Sequence, residues 1–99
     1  MQSFYPEQFV REMSCTEAEW LSCLPRAVGK HACEIGSRSA RVMIVPGELT
    51  LSWQPLAPLV IALMRLPRLR VSFWFSGVGT DDRLDFMKRF DLYTLRGGG

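Results

Sequence analysis

The chain has 99 residues, 47% hydrophobic and 11% aromatic with 22% charged, a composition that fits one packed globule and excludes a disordered body. At this length it buries on the order of 65% of its extended surface, enough for one core without staples. The longest apolar run, Leu56 to Met64, contains Pro58 and is too short to cross a ~30 Å bilayer, while the formal charge of +2 is too weak to imply a partner.

The first third reads as helical. Pro6 suits a first helical position, and Phe9, Val10 and Met13 follow on one helical face. Ser14-Cys15 interrupts. Thr16-Glu17-Ala18-Glu19 is a capping box, in which the Thr16 hydroxyl and Glu19 carboxylate satisfy free amides at a helix start. Trp20, Leu21 and Leu24 continue with helical spacing. Pro25 is expected to end or kink this helix, with Gly29 closing the turn.

After Lys30 the period changes from 3.6 to 2. His31 to Ile35 is a weak strand and Ala40 to Val45 a stronger one, followed by Val45-Pro46-Gly47-Glu48 as a type II turn. Leu49, Leu51 and Trp53 alternate with Thr50, Ser52 and Gln54, giving one apolar and one polar face. Leu59 to Leu66 is apolar on both faces and is expected to be an interior strand covered on each side, with Pro67-Arg68 as the next turn. Leu69, Val71, Phe73 and Phe75 then alternate with Arg70, Ser72, Trp74 and Ser76, the clearest strand signal in the chain.

Thr80-Asp81-Asp82 opens a final helix with an N-cap and acids in its first turn. Phe86, Met87, Phe90 and Tyr93 line one face, and Asp85 is placed to pair with Arg89. The expected fold is α+β: a two-layer sandwich of N-terminal helices, a four- to five-stranded antiparallel meander sheet and a C-terminal helix. Residues 1–96 form a single domain in this reading, and 97–99 a glycine tail. Phe73, Phe75, Phe86, Phe90, Leu51 and Ile61 are expected to meet in its core.

The chemistry-bearing residues do not assemble into a catalytic pattern. Cys15, Cys23, His31 and Cys33 are four soft metal ligands, but no C-x-x-C spacing occurs and unrelated thiols are the simpler reading, with no metal and no cofactor expected. The acids sit on helix surfaces, and no serine lies in a nucleophile elbow. Gly77-Val78-Gly79 lacks the later glycine of a phosphate loop, and Asp81-Asp82 follows it. No enzyme is expected.

Charge is uneven along the chain. Residues 1–36 carry −2, residues 37–79 carry five arginines against Glu48 alone, and residues 80–99 balance. If Phe73 and Phe75 face helices, then Arg70 and Trp74 face away, with Gln54 and Arg41 beside them. That face is the candidate binding surface, with cover by the N-terminal helices as the structural alternative. Trp and Arg are enriched at protein hot spots, so a protein partner, or a second copy in a homodimer, is the first expectation. Single-stranded nucleic acid, held by arginine on phosphate and tryptophan on bases, is the second.

The sequence ends Leu95-Arg96-Gly97-Gly98-Gly99, and this tail looks like the end of ubiquitin-like modifiers and sulfur-carrier proteins. The resemblance implies a carrier modified at its terminal glycine carboxylate. It covers these five residues, while the body departs from the β-grasp order of those families. A frayed, functionless end is the simpler reading, and the carrier ranks third behind the two binding expectations. The odd cysteine count and a start without a basic stretch or small-residue cleavage site point to the cytoplasm, with no membrane partner.

Overall fold

The structure, a computed structural model, describes residues 4–94. The glycine tail and its resemblance therefore lie outside the described residues. The elements are β1 (Gln8–Met13), α1 (Glu17–Val28), β2 (Cys33–Gly36), β3 (Ser39–Ile44), β4 (Gly47–Ile61), β5 (Met64–Ser76) and α2 (Thr80–Thr94). The chain is α+β: two helices and one five-stranded antiparallel sheet, ordered β1-β5-β4-β3-β2. β2 to β5 form the expected meander.

The first correction concerns residues 8–13, which form a strand rather than a helix. Phe9 and Met13 satisfy both periods, whereas Val10 falls on the opposite, exposed side of the strand. Pairing against β5, with Phe9 opposite Phe73 and Met13 opposite Leu69, supplies the ladder that a six-residue helix would lack. Only one helix precedes the meander. It begins as expected at the Thr16 capping box, with the Glu19 amide donating to the Thr16 hydroxyl at 3.1 Å and the Thr16 amide donating to Glu19 at 2.8 Å. Pro25 does not end it; α1 runs on to Val28 and closes at Gly29, whose φ of +64° is the left-handed region that glycine tolerates. Pro25 is exposed, as is Leu21 one turn earlier, so water can reach the carbonyl that the missing N–H leaves open.

The second correction concerns the hairpin between β4 and β5. Residues 59–66 are not an interior strand, and Pro67-Arg68 is not a turn. β4 and β5 pair continuously from Glu48–Ser76 to Ile61–Met64, with one bulge between Leu56 and Leu59. The chain reverses at Ala62-Leu63, and Ala62 has a φ of +54°. β3 leaves β4 after Ser52, and β1 leaves β5 after Leu69. Everything beyond is a two-stranded arm, which accounts for the 47 × 30 × 21 Å shape. Ile61, expected in the core, is 55% exposed at its tip.

The third correction is the turn at 45–47, which contains a cis Val45–Pro46 bond and is not of type II. Gly47 is buried, and a Cβ there would collide with the carbonyls of Ser76 and Gly77. Glycine lets these two chain segments touch.

The core lies between the sheet and the helices. Phe73, Phe75 and Leu51 from the sheet are buried with Trp20 and Leu24 of α1 and with Phe86, Met87 and Phe90 of α2. Trp20 meets Trp53 and Phe90 edge-on at 5.5 and 5.8 Å, and Phe73 meets Phe90 at 5.4 Å. Arg89 does not pair with Asp85; it donates to the Arg26 carbonyl at 3.2 Å and lies 4.6 Å from the Tyr93 ring. The buried Arg83 donates to the carbonyls of Tyr5 (2.8 Å) and Val78 (2.6 Å). Asp91 accepts from Tyr5 at 2.5 Å and from Arg11 at 2.6 Å. These bonds fasten the chain before β1 to α2.

Candidate binding face

Residues directly opposite in an antiparallel sheet share a face, so the register defines the surface turned away from the helices. One row runs Gln8, Trp74, Thr50, Arg41, Glu34 across all five strands. The next runs Val10, Ser72, Ser52, Ser39, Gly36, and a shorter one Glu12, Arg70, Gln54. The four residues singled out from sequence, Arg70, Trp74, Arg41 and Gln54, thus lie on one face and are exposed. Arg70 and Gln54 are direct neighbours. Thr50 separates Arg41 from Trp74, and the Arg41 guanidinium is engaged by Glu48 at 3.3 Å.

Small side chains in the middle row leave an open depression of about 450 Å³, bordered by Val10, Ser52, Ser72, Thr50, Gln8 and Trp74. Trp74 is 57% exposed and Val10 62% exposed. The depression is open because serines stand where larger residues would fill it; Phe9 and Phe73 also line it, and Val10 and Trp74 are its exposed apolar residues.

Sequence reasoning did not find the arm as part of this face. Beyond the bulge, Leu59 opposes Leu66 and Ile61 opposes Met64. By strand alternation from Trp74, Ser72 and Arg70, positions 68, 66 and 64 of β5 stay on the open side. The arm therefore extends the polar face with a strip of four apolar side chains, while Val60 and Arg65 pair on its reverse. Leu63 at the tip is fully exposed. The only sequence signal was the apolar run itself, which a buried strand carries equally well.

At the root of the arm, Arg68 donates to Glu12 and to the Ala57 carbonyl, each at 3.0 Å. Pro55, Pro58 and Pro67 all fall in the arm, beyond the reach of β3 and β1. Proline is tolerated there because no outer ladder needs its N–H, and it blunts the exposed edges against further strand pairing.

The suspected metal ligands do not converge. Among the described residues no group of three or more His, Cys, Asp or Glu is arranged to hold a metal ion. His31 Nδ1 donates to the Met43 carbonyl at 3.1 Å. All three cysteines are free thiols, and burial pushes each of them above its ordinary range, the opposite of what a reactive thiolate requires. No helix among the described residues is long and apolar enough to cross a membrane.

No protein-family model, curated protein or solved structure matches this chain.

Proposed function

We propose that the chain is a single-domain, two-layer α+β binding protein of the cytoplasm that works without a catalytic site, by docking another protein on its open sheet face and arm. One observation carries the reading: Trp74, 57% exposed, borders a depression on the same face from which the apolar arm extends. Exposed apolar side chains gathered on one face, here in two groups on either side of the row Glu12, Arg70 and Gln54, mark an interaction site, and a half-exposed Trp can act as its anchor. Arg70, Gln54 and Arg41 supply the polar margin. The three free thiols suit a reducing compartment.

The test is capture of partners from native extract by the wild-type chain and by Trp74→Ala. A loss of hot-spot size, about 2 kcal/mol or more, with unchanged melting supports the reading. Equal capture by both overturns it. A second reading, single-stranded nucleic acid, rests on Arg70 and Trp74 standing two positions apart on one face of β5. It requires nuclease-sensitive capture and an affinity that falls steeply with salt as counterions are released. The carrier reading belongs to the tail, and a terminal adduct found by mass spectrometry after incubation with extract and ATP would support it.

A further inference from the structure

The arm presents an apolar strip and the sheet face a partly apolar depression, and both belong to one surface. Eight to ten residues of β5 separate the arm tip from the depression, or roughly 30 Å at 3.4 Å per residue. A side chain at the tip therefore cannot fill the depression of its own chain. A second copy turned end to end can. We infer that the partner of this face is a second copy of the chain, related by a two-fold axis lying between the two sheets at the level of Leu56 and Arg68. Each arm tip then sits in the other copy's depression. This inference rests on the protein-docking reading above and names the partner.

Three observations favour the second copy. The surface is self-complementary, as an isologous interface must be: Leu59, Ile61, Met64 and Leu63 of one copy meet Val10, Ser52 and Trp74 of the other, and the reverse. The six apolar side chains among them, each 46–100% exposed, offer several hundred Å² per copy, against the roughly 800 Å² each partner gives to a standard interface. Near the axis each copy brings its Glu12–Arg68 ion pair, 3.0 Å long, so each guanidinium that faces its symmetry mate carries a counter-charge with it.

The prolines decide the mode of association. Pro55, Pro58 and Pro67 disfavour growth by adding strands to the arm's edges, whereas packing face to face, with the sheets about 10 Å apart, leaves those edges in water. The exposed Ala62-Leu63 turn makes the tip a projecting knob, and in this arrangement the serine-floored depression lies opposite it.

Sedimentation equilibrium of the wild-type chain over micromolar to near-millimolar concentrations tests the inference. Dimers are expected, with the dissociation constant raised about thirtyfold or more in Ile61→Asp and in Val10→Asp. Ile61 and Val10 are exposed, so both variants should melt as monomers near wild type. A second measurement fixes the arrangement. In a background with Cys15, Cys23 and Cys33 changed to Ala, a Leu63→Cys chain mixed with a Ser52→Cys chain should form a mixed disulfide under mild oxidation. A wild-type monomer at every concentration overturns the inference, as do dimers that neither variant weakens or that give no mixed disulfide. So does a monomer that binds phosphatidylserine vesicles through Leu63. If the chain is monomeric yet Trp74→Ala weakens capture from extract, only the second-copy inference fails and the docking reading stands.

Discussion

The indole N–H of Trp53 donates to the carboxylate of Glu17 across 2.8 Å, joining the centre of β4 to the first turn of α1. Arg38 approaches the same carboxylate at 3.2 Å. The bond from Trp53 is the main cause that holds the Glu17 carboxyl below its ordinary range; desolvation opposes it, and the bond and charge of Arg38 add smaller lowering effects. A carboxyl whose folded value is lowered contributes stability above its unfolded value near ~4.3, and this is lost as pH falls through the lower folded value. Glu17→Gln should therefore be less stable than wild type at neutral pH, and the gap should close in acid. Parallel denaturant titrations at neutral and acidic pH check this; a gap that does not shrink contradicts the assignment.

The three tryptophans sit in three environments, Trp20 fully buried, Trp53 4% exposed and Trp74 57% exposed. Acrylamide should quench one class of emission at low protein concentration, and Trp74→Phe should abolish that class while leaving the fold intact. Quenching that survives in Trp74→Phe would mean that the buried pair is not where the structure puts it.

Phe90 and Ile61 separate core from arm. Phe90 is fully buried against Trp20, Phe73 and Phe86, and Phe90→Ala should cost about 3–5 kcal/mol. Ile61→Ala, read at low protein concentration, should stay within about 0.5 kcal/mol of wild type. Comparable losses at both sites would restore Ile61 to the core and remove the arm.

Gly47→Ala should destabilise the chain by about 1–3 kcal/mol, since its Cβ meets backbone carbonyls that cannot move aside as a side-chain tip would. The neighbouring Gly79 has open space around it, so Gly79→Ala is the matched control. Thermal melts of the pair compare them directly.

The sheet was legible where one face is dry and the other wet. Leu49 to Gln54 and Leu69 to Ser76 alternate without a fault, and their partners and faces follow from that alone. The Thr16–Glu19 box likewise marked α1. Residues 8–13 were ambiguous because Phe9 and Met13 stand four apart on a helix and also on one side of a strand. Only the partner strand, more than fifty residues away, decides between the two. The arm was illegible because Ala62-Leu63 contains none of the residues that usually announce a tight turn, and because an apolar strand projecting into solvent has the same letters as a buried one. Of the candidate site, Arg70, Trp74, Arg41 and Gln54 came from the alternation, whereas Val10, the serine floor and the arm required the register.

The edge position of β1 sets an order of events during synthesis. Gln8 pairs with Trp74 and Met13 with Leu69, so β1 is made more than fifty residues before the strand that completes its ladder. β2 to β5 meet in sequence and can close as they emerge, whereas β1 joins across the largest loop of any strand pair among the described residues, a slow kind of contact to form. Until it docks, the outer edge of β5 and the underside of Phe73 stand bare. A nascent chain stalled before residue 69 lacks the stretch of β5 that pairs with both β4 and β1, so β1 stays unattached, and that intermediate is where misassembly would begin.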